Sequence, residues 1–394
     1  FCAAGGCTMK VTMFTSWQVR CGIANYTADL VAALDDLDDT AVQVVPYDRR
    51  PHPRSDYERW GEAMNVGDVA HIQHEYSFFG YLTPWGNHFA ALATRIRRPL
   101  VITRHVTFDG PLTIPGRGAQ HALRRFKWSL YNRWLGPYAT YLNRDTFAMA
   151  DQIIVLSARL KAHLVARGID ASRIHVIPAG VPATPQVEGG VKLRSMWGWT
   201  GKRVLGIFGY ITPAKNHALA VESLVHLPED VVLLIAGGVR RAQDRAVLEA
   251  LKRQIAALGV QGRVRITSYL EEDQLPAHID VCDLLLYPAT HADSSYSLIT
   301  GLSYQHAAIV ASDVFGHREV AELGAGIELF ASGNAQDLAR KATELLDSPQ
   351  RRAGLIAASV EYARRYGWPA IAARTRAVYV EARAKSTARR EEHT

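Results

Sequence analysis

Cysteine is scarce in this chain: four in 394 residues, at Cys2, Cys7, Cys21 and Cys282. Two stand close to the start and the others are far apart, so neither a disulfide framework nor a zinc-ligand spacing is present. A reducing, cytoplasmic setting is expected. No run of about 18 apolar residues occurs, so no spanning helix is expected. The opening FCAAGGCT has neither a basic start nor an apolar core of signal-peptide length. Met9 begins a better opening, MKVTMFTSW, which reads as a first buried strand. The eight residues before it are expected to be upstream read-through, outside the fold. Short-period repeats are lacking, and low complexity is confined to the charged tail from Lys385 to Thr394. Metal-ligand spacing is lacking too. His71 and His74 fall on opposite faces of one strand, because side chains alternate with period 2.

What is present is globular. Hydrophobic residues make up 48% and charged residues 21%, which excludes a disordered chain. The length favours two domains over one core. The formal charge of +7 suits anionic substrates, an anionic membrane surface or nucleic acid. Arginine also dominates plainly helical surface segments, so charge alone decides nothing.

Short β-branched runs alternate with amphipathic stretches. The first half offers strands at Lys10–Thr15, Ala41–Pro46, Val69–His74, Leu100–Arg104, Gln152–Leu156 and Ile174–Ile177. The second half offers Val204–Phe208, Val231–Ala236, Val264–Thr267, Cys282–Tyr287 and Ala308–Ala311. Most are continuously apolar, as in parallel strands buried on both faces. Helical patterns fall between them at Ala24–Leu37, Ala158–Arg167, Ala218–His226, Arg241–Leu258 and Ala335–Asp347. This alternation predicts doubly wound α/β architecture. The Pro- and Gly-rich stretch at 178–200 shows neither period and reads as a linker. Two Rossmann-like domains facing across a cleft are expected, with ligands beyond the carboxyl ends of the strands. The first would hold 9–180 plus 369–394, and the second 190–368.

Several strand-end segments carry candidate chemistry. Residues 287–320 run from a strand through Asp293-Ser294-Ser295-Tyr296-Ser297 into a helix. Such a turn aims backbone N–H groups and a positive helix end at one spot, which suits a phosphate or sugar hydroxyls. Gly22 opens a helix just after the first strand. It either lets a ligand approach the backbone or simply serves the turn. His105 ends a strand in Thr103-Arg104-His105. There it is either a donor to phosphate or sugar, or a satisfied buried histidine. Lys215 follows Gly209-Tyr210 ahead of a helix and can neutralise a diphosphate as a point charge. A lysine near a helix start is otherwise electrostatically unwelcome, which weighs against a merely solvated side chain. Residues 119–135 form a basic amphipathic pattern. Leu123, Phe126, Leu130 and Trp134 make a stripe flanked by Arg124, Arg125, Lys127 and Arg133. It suits an anionic membrane surface or lipid-linked acceptor. A core-facing helix with a solvated rim is the alternative, and the one favoured for soluble folds.

Together these pieces resemble the retaining glycosyltransferases of family 4 (group 1), which have the GT-B fold. The resemblance covers nearly all of 9–380. It rests on Gly22–Thr27, Thr103–His105, Val176–Val181, Phe208-Gly209 with Lys215, Leu234–Gly238 and the closing Trp368, Ile371 and Tyr379. It implies that the last helix crosses back onto the first domain. By implication, Gly22 and Gly209 approach the donor diphosphate, His105 faces the transferred sugar, and Lys215 binds the diphosphate. Tyr210 stands beside that lysine, Tyr269 and Leu270 touch the base, and Asp293 contacts the sugar. Ser294, Ser295, Tyr296, Ser297 and Leu298 would offer backbone amides to sugar and phosphate. Three positions depart from the family pattern. Gly301 stands at the second acid of E-x7-E, Tyr210 at the usual arginine, and His306-Ala307-Ala308 at the usual Gly-x-Pro. The serine run resembles a Ser-rich variant of the acidic loop.

The function this implies is transfer of a hexose from a nucleotide-diphospho-sugar, with GDP-mannose expected ahead of a UDP-sugar. The acceptor would be a glycan, a lipid-linked sugar or a small metabolite, in polysaccharide biosynthesis or a related process. Lys215 and two helix starts can stabilise the leaving diphosphate without metal, so no cofactor or metal is expected. Nor is a nucleic-acid partner. No enzymatic nucleophile stands out, which fits the family's same-face retention. The setting would be cytoplasmic, with possible attachment to the inner membrane face. A catalytically impaired homologue that binds a nucleotide sugar or a partner is the alternative. An epimerase or phosphorylase of the same fold ranks third.

Overall fold

The computed structural model describes residues 8–19, 21–80, 87–106, 126, 129, 133, 144–239, 244–292 and 294–391. It divides into two units, one running to Ala179 and resuming at Trp368, the other spanning Gly180–Gly367.

The first unit has a six-stranded sheet. Its strands are β1 (Met9–Ser16), β2 (Thr40–Tyr47), β3 (Val69–His74), β4 (Leu100–Arg104), β5 (Gln152–Val155) and β6 (Ile174–Val176), in spatial order β2-β1-β3-β4-β5-β6. All its pairings are parallel. The second sheet holds β7 (Arg203–Phe208), β8 (Val231–Ala236), β9 (Val264–Ile266), β10 (Leu284–Tyr287), β11 (Ala308–Ser312) and β12 (Ile327–Phe330), in order β12-β11-β10-β7-β8-β9. It too is wholly parallel. Each unit is therefore a Rossmann-like sheet with helices between successive strands. Every residue of β3, β4, β8, β10 and β11 is buried, which explains their lack of apolar/polar alternation.

Both strand orders reverse once. In the first unit the reversal lies between β1 and β3, and in the second between β7 and β10. Ligands of open α/β sheets bind at such switch points, because the loops there diverge and leave a crevice.

Two local expectations are corrected. The stretch at 178–200 is not wholly irregular, since Gly190–Met196 is helical. Its start is held by tertiary bonds: the Gly190 amide donates to the Asp280 carboxylate at 2.7 Å, and Arg194 reaches the Val281 carbonyl and Asp283. Strand β12 was not expected, because its four residues include Glu328 and show no apolar run. Lys341 and Arg351 neutralise that glutamate. The C-terminal helix, Trp368–Glu391, packs on the first unit. Tyr379 is fully buried with its hydroxyl 2.7 Å from His71 Nδ1. Arg376 pairs there with Asp39.

Candidate functional site

At the switch point of the second unit, β7 ends in Phe208 and the chain turns at Gly209, with φ of +107°. That conformation favours glycine. Space requires it as well: a Cβ at Gly209 would overlap the Lys215 ammonium and lie 3.4 Å from its Cε. The Pro213–Lys215 turn carries the lysine back, so that Nζ donates to the Phe208 carbonyl at 2.9 Å. Burial of this ammonium lowers its pKa to about 8. A cation buried this way is costly without an anion.

Two further segments meet this turn, and a third bonds to one of them. Thr290, after β10, donates its amide to the Ala214 carbonyl at 3.0 Å. Gly316, opening the Phe315–Glu322 helix, donates to the Ala292 carbonyl at 2.9 Å. Tyr210 stacks on Tyr269, with ring centroids 5.7 Å apart and planes 20° from parallel. Tyr269 is partly exposed, so the pair presents an aromatic face beside the lysine turn. Leu270 is half-buried next to it.

The serine run opens a helix, Tyr296–Ser303, as expected. Ser295 is its N-cap: its hydroxyl accepts from the Leu298 amide at 3.3 Å and lies 3.3 Å from the Ser297 hydroxyl. No acidic residue occupies its first turn, where the helix end is positive. Ser294 is exposed, while Ser295, Tyr296 and Ser297 are half-buried. Leu298 departs from expectation. Its side chain is core and its amide is already bonded to the Ser295 cap, so it has no donor to offer. Asp293 lies outside the described residues.

Gly301 has a concrete partner. Tyr287, at the end of β10, donates its hydroxyl to the Ser297 carbonyl at 3.0 Å and fills the space beside Gly301. A Cβ at residue 301 would overlap that hydroxyl and lie 2.9 Å from the ring Cζ. Sequence reasoning missed Tyr287, which reads as one more apolar strand residue. It also missed His217, two residues beyond Lys215 at the start of the next helix. That imidazole is buried with neither ring nitrogen bonded, and burial lowers its pKa to about 3.

In the first unit, the Gly22–Asp35 helix starts after β1 with neither a side-chain cap nor an acid in its first turn. A Cβ at Gly22 would meet nothing within 4 Å, so the glycine faces open space and local packing does not demand it. His105, just past β4, is buried. Its Nε2 lies 2.8 Å from Gln73 Oε1 and its ring meets Tyr26 edge-on at 4.9 Å. Burial lowers its pKa to about 3, so the ring is neutral and Nε2–H donates to Gln73. This is the satisfied buried histidine, placed at a strand end next to the switch point. His71 and His74 are spent within the core. His71 bonds Tyr379 and Thr103, and His74 sits among Tyr76, Phe79, Phe89 and Phe147. Of the basic stripe, Arg124, Arg125 and Lys127 lie outside the described residues. Phe126 and Arg133 are helical and exposed, so the core-facing alternative is wrong at Phe126.

Comparison with known proteins agrees with this geometry. The model of glycosyl transferases group 1 matches residues 193–362, and that of Glycosyltransferase Family 4 matches 21–184. The two matches are complementary and follow the two units. The chain belongs to glycosyltransferase family 4. Among its relatives is the D-inositol 3-phosphate glycosyltransferase of Xylanimonas cellulosilytica, 29% identical over 64% of this chain and 62% of that one. The 2-deoxystreptamine glucosyltransferase of Streptomyces kanamyceticus is 27% identical over 56% of this chain and 58% of its own. The aligned stretch thus spans less than two thirds of either relative. Among solved structures, Anabaena HepE in complex with UDP and glucose superposes with a TM-score of 0.71 at 17% identity, covering 94% of this chain and 99% of that one. Sucrose-phosphate synthase of Thermosynechococcus elongatus gives 0.70 at 14% identity, over 96% of this chain and 100% of its own. These neighbours establish the GT-B fold for this family 4 chain.

Proposed function

We propose that this chain transfers a hexose from a nucleotide-diphospho-sugar to a glycan, lipid-linked or small-molecule acceptor, with retention at the anomeric carbon. One observation carries the reading. The second unit's switch point gathers a half-buried lysine with a lowered pKa, a helix start with no acid in its first turn and an aromatic face. In this reading the Lys215 ammonium takes the negative charge that develops on the leaving diphosphate. Gly209 allows the phosphates close to the backbone, and Tyr269, backed by Tyr210, carries the base. Ser294–Ser297 and Asp293 meet the sugar. No metal is needed for this charge balance.

GDP-mannose and UDP-sugars are the donors to separate. Relatives include phosphatidyl-myo-inositol mannosyltransferases, whereas HepE is seen with UDP. A thermal-shift screen with GDP, UDP and their sugars separates them, because bound ligand raises apparent stability by mass action. Labelled donor then follows transfer and hydrolysis. A product that forms with the natural protein and disappears in Lys215→Ala supports the reading.

A second reading, binding without turnover, is favoured by Gly301 beneath Tyr287, since the family acid there is replaced by a packed phenol. Donor binding with neither transfer nor hydrolysis would establish it and sink the first. Attachment to an anionic membrane face belongs to the proposal too, motivated by exposed Phe126 and Arg133. Among the described residues no helix is long and apolar enough to cross a membrane. Charge reversal at Arg124, Arg125 and Lys127 should weaken binding to anionic vesicles, and unchanged binding refutes the attachment.

A further inference from the structure

We propose that His217 is a second ligand of the donor diphosphate, an uncharged N–H donor that acts beside the Lys215 ammonium. The inference rests on the donor-crevice reading above and adds a residue to it. Placement carries its first part. His217 is the first residue of the His217–Ser223 helix, which follows the Pro213–Lys215 turn. Asn216 between them has φ of +51° and ψ of +47°, so the chain changes direction sharply there. At helical spacing His217 shares a face with Ala220, Val221 and Leu224, all fully buried in the core of the second unit. The helix leaves from the end of β7, so His217 is the member of that stripe nearest the carboxyl ends of the strands. That is the edge at which ligands of such sheets bind.

Hydrogen bonding carries the second part. His217 is only 3% exposed, yet neither ring nitrogen has a partner. Other buried histidines differ. His71 bonds Tyr379 and Thr103, His105 bonds Gln73, and His317 bonds the Ser312 carbonyl. A neutral imidazole has one N–H donor and one bare nitrogen, and burying both unpaired is costly. Leucine would fill the same stripe without that cost. A polar group kept against stability at a strand-end turn is the mark of a site that uses it.

The neighbouring charge fits this role. Burial first, and then the Lys215 ammonium, hold the ring well below the usual histidine range, so it is neutral at physiological pH. A diphosphate drawn to Lys215 brings several oxygen acceptors to the turn. An imidazole N–H can donate to one of them, and a hydrogen bond to a charged acceptor is stronger than one to a neutral group. Being uncharged, the ring adds this bond without the repulsion that a second cation would impose on Lys215.

The test combines calorimetry of GDP, UDP and inorganic pyrophosphate with ¹⁵N NMR of the full chain labelled at histidine, the His217 signals being assigned from His217→Gln. In the natural protein one His217 ring nitrogen should shift saturably as ligand is added, while the ring stays neutral. His217→Leu should weaken the nucleoside diphosphates and pyrophosphate alike, by about tenfold. His217→Gln, which keeps an N–H donor, should lose less. Free His217→Leu should melt at or above the Tm of the natural protein, because an apolar side chain replaces an unpaired polar one. The weakening of Kd above about pH 8 should keep its midpoint in His217→Leu, since Lys215 still titrates. The proposal is overturned by undiminished affinity in His217→Leu or by His217 signals that ignore the ligand. A lower Tm with Gln no better than Leu would assign the ring to packing, and a loss that only moves the pH midpoint would make it a partner of Lys215; either result overturns the proposal. If the natural protein binds neither nucleoside diphosphate, the donor-crevice reading fails and takes this inference with it, whereas bound ligand with an indifferent His217 sinks this inference alone.

Discussion

Gly301→Ala should destabilise this protein, although the usual effect of alanine in a helix is the opposite. Gly301 lies inside the Tyr296–Ser303 helix, where alanine normally gains about 1 kcal/mol over glycine. The new methyl would lie 2.9 Å from Tyr287 Cζ and 3.3 Å from Cε2, and would overlap the hydroxyl itself. Carbon pairs prefer about 3.5–4.0 Å, so the ring or the helix must move. Overpacking of a buried site costs about 1–3 kcal/mol. Displacing the ring also breaks the 3.0 Å bond to the Ser297 carbonyl, and burying those groups unpaired costs about 1–3 kcal/mol more. After the helix gain is subtracted, about 1–5 kcal/mol of destabilisation remains. At about 2–4 °C per kcal/mol for a unit of this size, calorimetry should record a clear fall in Tm. A mutant cycle isolates the cause. In a Tyr287→Phe background the hydroxyl overlap is gone, so Gly301→Ala should cost less by about 1 kcal/mol or more. A Tm that stays level or rises in Gly301→Ala, or two backgrounds that respond alike, would refute the reasoning.

Two further outcomes follow from the donor crevice. The free protein holds Lys215 near a pKa of about 8, and a bound diphosphate should raise it. Nucleoside-diphosphate Kd, read by calorimetry, should then be flat below about pH 8 and rise above it by up to about tenfold per unit. In Lys215→Met the affinity should be weaker and the rise absent, and a persisting rise would exclude this lysine as the cause. The free protein itself should gain stability as pH climbs from about 8 towards 10.5, because there the unfolded lysine holds more protons than the folded one. Tyr269→Ala should weaken nucleoside diphosphates by about 0.5–1.5 kcal/mol through lost stacking, and leave inorganic pyrophosphate unchanged. Tyr210→Phe should match the natural protein and Tyr210→Ala should approach Tyr269→Ala, whereas equal loss for pyrophosphate would show that the rings do not carry the base.

The architecture was legible because burial on both faces writes parallel strands as unbroken apolar runs. Eleven of the strands in the two sheets were expected near their observed positions, β3, β4 and β8 among them. Strand β12 escaped because an edge strand can carry a glutamate when Lys341 and Arg351 are near, and those lie 13 and 23 residues away. The Gly190–Met196 helix escaped for the same kind of reason: Asp280, which holds its start, is 90 residues away in sequence. Site positions such as Gly209 and Lys215 were legible from strand-end spacing. Their state was not, since the lowered lysine pKa comes from desolvation that only the folded turn produces. His105 shows the same limit. Thr103-Arg104-His105 marks a strand end, but only the fold brings Gln73 and Tyr26 to the ring.

The departures from the family pattern are better understood as pairs than as single losses. Tyr210 takes the place of an arginine, and its ring is stacked on Tyr269. Gly301 takes the place of an acid, and its missing side chain is occupied by the Tyr287 ring, whose hydroxyl is bonded to Ser297. His306, in place of a glycine, lies 3.5 Å from Asp280, the carboxylate that also holds the Gly190 amide. In each case the unusual residue fits a specific neighbour. Restoring one family residue alone therefore removes or collides with that neighbour. A glutamate at 301 meets Tyr287 before it can reach a ligand, and an arginine at 210 removes the ring behind Tyr269. Lys215 is a cation that these exchanges leave at the Gly209 turn, and its lowered pKa makes its pairing with a diphosphate a large change on binding.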